Sequence, residues 1–277
     1  MKEWFVGTSG FMTSRSKWLD LPNLNCIEIN STFYGLPSAK TVEGWKEAAP
    51  DLFFSVKCSK YITHIKRLKD CKAAWNEFWG RVKPLGKSLQ AVLIQLPPSF
   101  KNTDETLERV ADMIKYLPKE SQTGTTMVFE FRDKSWFVGP VFELMKKHNI
   151  TMGGTSIERP TKARWLGDLP TGLHIPPRTS NATYLRVHGE KGYKGNYSQG
   201  QLETIKKKIA SRGTQKNFVM FNNTFFPKRN KTCKIGKEKI RYAAVCNAVE
   251  FGGISEKGKK GKPITMTKKK GRKKNAK

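Results

Sequence analysis

Acidic residues are scarce in this chain: 23 Asp and Glu stand against 52 Lys and Arg, for a formal charge of +29. No apolar run reaches the roughly 18 residues that a membrane-spanning helix needs. The opening MKEWFVGTSG has no leader-like apolar core. An intracellular, cytoplasmic protein with no membrane contact is therefore expected. Cysteines number five and form no C-x-x-C pair. That excludes a zinc ribbon and a thioredoxin-type motif, and reduced thiols are expected. Two near-motifs also fail. Gly86-Lys87-Ser88 has its upstream glycine, Gly80, one residue too far away for a phosphate-binding loop. Gly189-Glu190-Lys191-Gly192-Tyr193-Lys194-Gly195 lacks dinucleotide-binding spacing and reads as a mobile loop.

What is present is enough apolar residue for a large core: 37% of the chain, including 16 Phe and 7 Trp. Eight short apolar runs recur: 4–6, 26–29, 52–56, 91–96, 127–131, 151–154, 183–188 and 217–221. They read as buried strands. Helical periodicity falls between them. Residues 71–82 carry an apolar stripe, with Asp70 placed to cap it. Thr103 is placed to cap a helix striped by Leu107, Val110, Ala111, Ile114 and Leu117. Further helices are expected over 138–148, 199–212 and 242–251. This alternation predicts an α/β fold, a (β/α)8 TIM-like barrel over residues 1–252. A doubly wound open sheet is the alternative. From Ser255 to Lys277 the chain holds 11 Lys or Arg and one acid. Residues 253–277 read as a disordered basic tail, fit to contact nucleic acid or to serve as a nuclear localisation signal.

Seven of the eight runs end in polar residues at their C-terminal side, where barrels of this type carry their active sites. Alternation puts Glu28 with Asn30, Glu130 with Arg132, and Arg186 with His188 on one face of their strands. Ile27, Ile29, Phe129, Phe131, Leu185 and Val187 then face the helices. The candidate catalytic residues are Glu28, His188, Glu130 and Lys57, with His188 or Glu28 as general base. Candidate ligand-binding residues are Thr8, Asn30, Thr32, Tyr34, His64, Gln95, Arg132, Trp136, Arg186, Asn222 and Asn223. Cations outnumber carboxylates there, which fits a small anionic ligand. Glu28, Glu130, His188 and Asn222 suit a metal, but no local spacing marks them as ligands. No metal is assigned and the cofactor is unknown. The architectural alternative is a salt-bridge network that only closes the barrel top.

The segments GTSG (7–10), EINSTFYGLPS (28–38), LIQLPPSF (93–100), EFRDKSW (130–136), Tyr184-Leu185-Arg186-Val187-His188-Gly189 and FNNT (221–224), with Phe54–Lys57 and Ile62–Leu68, resemble the YecE-like family, domain of unknown function 72. The resemblance runs over about residues 4–251. It implies a TIM barrel and supplies no reaction, because the family's activity is not established. Three features depart from the family pattern: Phe11-Met12 in the first βα segment, a basic insertion over 224–239, and the Lys-rich tail. An enzyme of hydrolase or phosphoester type acting on a small anionic or phosphorylated ligand is expected. The rival reading is a nucleic-acid-binding or nucleic-acid-processing protein that uses its basic charge. The oligomeric state is not legible in the sequence.

Overall fold

In the computed structural model the described residues are 2–157, 172–189, 194–223, 233–236 and 238–255. Strand β1 (Glu3–Ser9) is followed by helix α1 (Arg15–Leu19), β2 (Cys26–Ile29), α2 (Ser31–Tyr34) and α3 (Ala39–Ala48). Next come β3 (Phe53–Lys57), α4 (Lys72–Val82), β4 (Leu89–Gln95), α5 (Asp104–Tyr116), α6 (Glu120–Thr123), β5 (Thr126–Glu130) and α7 (Gly139–Lys147). The chain then forms β6 (Thr151–Met152), β7 (Gly154–Ile157), β8 (Gly172–His174), β9 (Ala182–Gly189), α8 (Gln199–Ala210) and β10 (Lys216–Phe221). A hairpin of β11 (Cys233–Ile235) and β12 (Glu238–Ile240) precedes α9 (Ala243–Gly252).

The sheet runs β6-β5-β4-β3-β2-β1-β10-β9-β7-β8, parallel except for the short β8. Its two ends are one stretch of chain. The expected sixth strand, 151–154, is broken at Gly153 into β6, which pairs with β5, and β7, which pairs with β9. A side chain at 153 would press on Glu130 Cβ and Val128 Cγ1 at 3.3 Å, so glycine lets the strand pass from one neighbour to the other. The ladder thus curls into a TIM-like barrel.

Parity divides the core. Ile27, Ile29, Val56, Val92, Ile94 and Phe129 face outward against the helices, as do Leu185, Val187 and Val219 on the other side. Phe5, Cys26, Ala91, Leu93, Val128, Tyr184, Phe218 and Met220 face the barrel interior. Each fully buried large side chain of this kind contributes roughly 1.5–3 kcal/mol. Thr103 caps α5 reciprocally with Thr106, as the sequence led us to expect. Asp70 does not cap α4. It has φ +48°, and Cys71 takes the cap position with no side-chain hydrogen bond.

The expectation of reduced thiols is corrected in part: Cys233 is joined to Cys246 by a disulfide, while Cys26, Cys58 and Cys71 are free and buried. Among the described residues no helix is long and apolar enough to cross a membrane. Residues 158–171, residues 190–193 of the glycine-rich loop expected over 189–195, most of the expected basic insertion and the tail from 256 onward lie outside the described residues.

Candidate active site

The barrel interior is stacked from floor to mouth. At the floor, Phe5 stacks on Phe218 with ring centroids 4.5 Å apart. Phe53 meets Phe5 edge-on at 5.1 Å, and Tyr184 lies 5.5 Å from Phe218. The Tyr184 hydroxyl marks where apolar packing ends. It donates to Glu28 Oε2 at 2.8 Å and lies 2.7 Å from the Ser55 hydroxyl.

Above it the charges gather. Glu28 Oε1 accepts from Ser9 at 2.7 Å, Arg186 Nη2 at 2.9 Å and Asn30 Nδ2 at 3.1 Å. With Tyr184 on the other oxygen, this carboxylate is saturated. Arg186 Nη1 reaches Glu130 Oε1 at 3.3 Å, and the same oxygen accepts from Arg132 Nη2. His188 Nε2 lies 3.4 Å from Arg132 Nη2. The side chains of Glu28, Glu130, Arg132, Arg186 and His188 are all buried, Arg132 at 1% exposure. Yet Glu130 Oε2, Arg132 Nε, Arg132 Nη1 and Asn30 Oδ1 are buried with no hydrogen-bond partner. Each such atom costs about 1–3 kcal/mol, more where the group is charged.

Proton positions follow from these surroundings. Burial pushes the Glu28 carboxyl up, but the Arg186 guanidinium and the hydrogen bonds from Ser9, Arg186 and Tyr184 outweigh it, so its pKa lies below the usual value. Glu28 is therefore ionised and fully partnered, a poor base. Burial and the cations Arg132, Arg186 and Lys57 hold His188 well below an ordinary histidine. Its neighbours carry like charge to an imidazolium, so the expected general-base role finds no support from opposite charge. Lys57 drops to about 7 through burial and Arg186, with Arg132 adding to the fall and Glu28 and Glu130 opposing it. His64 falls to about 4 through burial and the nearby lysines Lys57 and Lys60.

Other expected residues sit elsewhere. Thr8 faces outward and accepts from Trp18 Nε1 at 2.8 Å; its strand neighbour Ser9 is the one that reaches Glu28. Trp136 is fully buried between Phe131 at 4.2 Å and Phe100 at 5.3 Å, with its N–H on the Phe100 carbonyl. Neither of its faces remains for a ligand. Thr32 donates to the Lys57 carbonyl at 2.6 Å and so fixes the end of β3. Asn223 bonds Gly195 O and Asn247 and braces the loop before α8. Gln95 is buried and donates to its neighbour's carbonyl, Leu96 O. Asn222 is half-buried at the end of β10.

Tyr34 is 82% exposed and touches Phe33 edge-on. His64 lies in a π-helical turn at 61–65 and contacts the same Phe33 ring at 4.9 Å. Sequence reasoning missed Ser9, Ser55 and Tyr184. Alternation counted from Phe5 and Phe53 finds the first two. Among the described residues no group of three His, Cys, Asp or Glu could hold a metal ion.

A curled, mostly parallel α/β sheet whose strands carry a buried charged cluster at their C-terminal ends defines a TIM-like barrel protein. More narrowly, the chain matches the family described as "Protein of unknown function DUF72" over residues 21–234 and belongs to that family. It is similar to UPF0759 protein YunF of Bacillus subtilis, 27% identical over 224 residues, with 71% of this chain and 76% of that one covered. Its similarity to UPF0759 protein YecE of Escherichia coli K12 is 35% over 79 residues, or 28% of this chain and 29% of the relative's length. A crystal structure of a DUF72 family protein from Thermotoga maritima superposes with TM-score 0.68 at 26% identity, covering 90% of this chain and 97% of that one. One from Enterococcus faecalis gives TM-score 0.68 at 16% identity, covering 90% and 94%, which speaks to the fold alone.

Proposed function

We propose that the barrel mouth binds a small anionic ligand and acts on it. The observation that carries this reading is Arg132. Its guanidinium is buried, fixed by Glu130, and keeps Nε and Nη1 without an acceptor. A buried guanidinium with unmade hydrogen bonds is built to receive a carboxylate or phosphate oxygen. Arg186, joined to the same Glu130 oxygen, adds positive charge beside it. Glu130 Oε2, the carboxylate oxygen without a partner, is the general base of this reading. Phosphoester hydrolysis is one chemistry such a set serves, with Arg132 on the anion and Glu130 taking the proton from water.

The test is thermal denaturation of the full chain with phosphate, pyrophosphate and short carboxylates, at constant ionic strength. At least one anion should raise Tm in the wild type and leave Arg132→Met unmoved. An unchanged wild-type Tm across the whole set sinks the reading.

A second reading, nucleic-acid binding, has one observation in its favour. Tyr34 at the end of α2 and Tyr61 in the π-helical turn after β3 are exposed, and Lys60 and Lys66 flank Tyr61 in a chain of charge +29. Exposed aromatics among lysines can stack on bases. Affinity for single-stranded nucleic acid should then fall steeply with salt and drop on Tyr34→Ala, with or without residues 256–277.

A further inference from the structure

Lys57 ends β3 on the face shared with Phe53 and Ser55, so its side chain enters the barrel mouth. Its amine has no hydrogen bond and no ion pair among the described residues. Nζ lies over the face of Phe33, 4.0 Å from the ring centroid. The charged and titratable groups around it are Arg186, Arg132, Glu28 and Glu130, with His64 on the edge of the same Phe33 ring and His188 bonded to Arg132.

A lysine meant as a plain anion anchor or a structural cation would be given an acceptor. This one is given no acceptor, and it is buried in the same cluster as two guanidiniums. The Phe33 face favours the ammonium, as do Glu28 and Glu130, but burial and the guanidiniums outweigh them and leave a nucleophilic amine at neutral pH. The value of about 7 agrees with this.

We propose that Lys57 is a catalytic amine that condenses with the carbonyl carbon of an anionic aldehyde or ketone held at the mouth. The inference rests on the anion-binding reading of the same site for the charged end of the substrate. The Nζ lone pair attacks the carbonyl carbon, the C=O bond breaks to a hydroxyl, and the amine proton passes to that oxygen. Loss of water then gives the imine: one amine and one carbonyl in, one imine and one water out. Arg132 takes the substrate's carboxylate or phosphate. Glu130 Oε2, unpartnered among the described residues, is the group to carry the protons.

The experiment traps the imine. The full chain is incubated at pH 7 with sodium cyanoborohydride and either glyoxylate, which is anionic, or propionaldehyde, which is neutral. Labelled peptides are read by mass spectrometry. With glyoxylate, Lys57 should label at least about tenfold faster than exposed Lys40 and Lys119. That rate should level off above about pH 7, while the exposed lysines keep rising. Inorganic phosphate should protect Lys57, and Lys57→Met should lose this one label. Labelling of Lys57 no faster than of Lys40 and Lys119, with either aldehyde, overturns the proposal, even if anions still raise Tm and the binding reading stands. Fast labelling by both aldehydes, with no protection by phosphate, keeps the reactive amine and discards the anion site.

Discussion

The floor and the mouth of the barrel are built by the same strands, in the same parity, a few residues apart, and they differ in every other respect. At the floor Phe53, Phe5, Phe218 and Tyr184 fill the interior ring against ring. At the mouth two carboxylates, two guanidiniums, an amine and an imidazole share a buried space with several hydrogen bonds unmade. Close packing stabilises without specifying chemistry. Buried charge with spare valences does the opposite, because a set of apolar side chains of equal volume would serve the fold as well or better.

Breaking the floor should have the largest effect. Phe218→Ala removes a ring held between Phe5 and Tyr184 and should cost about 3–5 kcal/mol, read as a lower denaturation midpoint at unchanged slope. Next comes the pH dependence that Lys57 adds. The folded pKa is about 7 against an ordinary 10.5. Between those values the unfolded chain holds a proton that the folded chain does not. Stability therefore rises with pH across that window. In Lys57→Met that rise should vanish, and wild type and variant should diverge as pH falls toward 7. Parallel curves would mean that the amine is not desolvated.

Tyr184→Phe tests the boundary itself. It leaves Glu28 Oε2 without its donor and should cost about 1–2 kcal/mol. The smallest effect on stability belongs to the mouth: the double variant Glu130→Gln, Arg132→Met should lie within about 1 kcal/mol of wild type or above it. A loss as large as that of Phe218→Ala would make the mouth an architectural clasp and erase the contrast.

The barrel was legible because eight apolar runs of strand length alternate with helical stripes. The inward pairs Glu28/Asn30, Glu130/Arg132 and Arg186/His188 followed from alternation alone. The failures have physical causes. Thr8 stands one step from Ser9, and one step in register reverses the face: alternation from Phe5 points Ser9 inward and Thr8 outward. Trp136 sits in a short 3-10 turn, where neither helical nor strand periodicity says which way a side chain points. Asp70 has the residue type of a cap, but its left-handed φ of +48° removes it from the cap position. The Cys233–Cys246 link depends on where a hairpin lands on the last helix, a long-range fact with no local signature. The partners of Glu28 come from β1, from β9 and from Asn30 just after β2, so its saturation shows only with the strands side by side.

Gly153 leaves one stave of the barrel in two short pieces, one holding each neighbour over a few residues. Across this joint the mouth adds a contact that the split stave does not make: Glu130 on β5 touches Arg186 on β9 at 3.3 Å. An anion bound between Arg132 and Arg186 would therefore bear on this joint as well as occupy the mouth. Backbone amides of residues 151–157 are the place to detect this, through slower exchange with solvent when the mouth is filled.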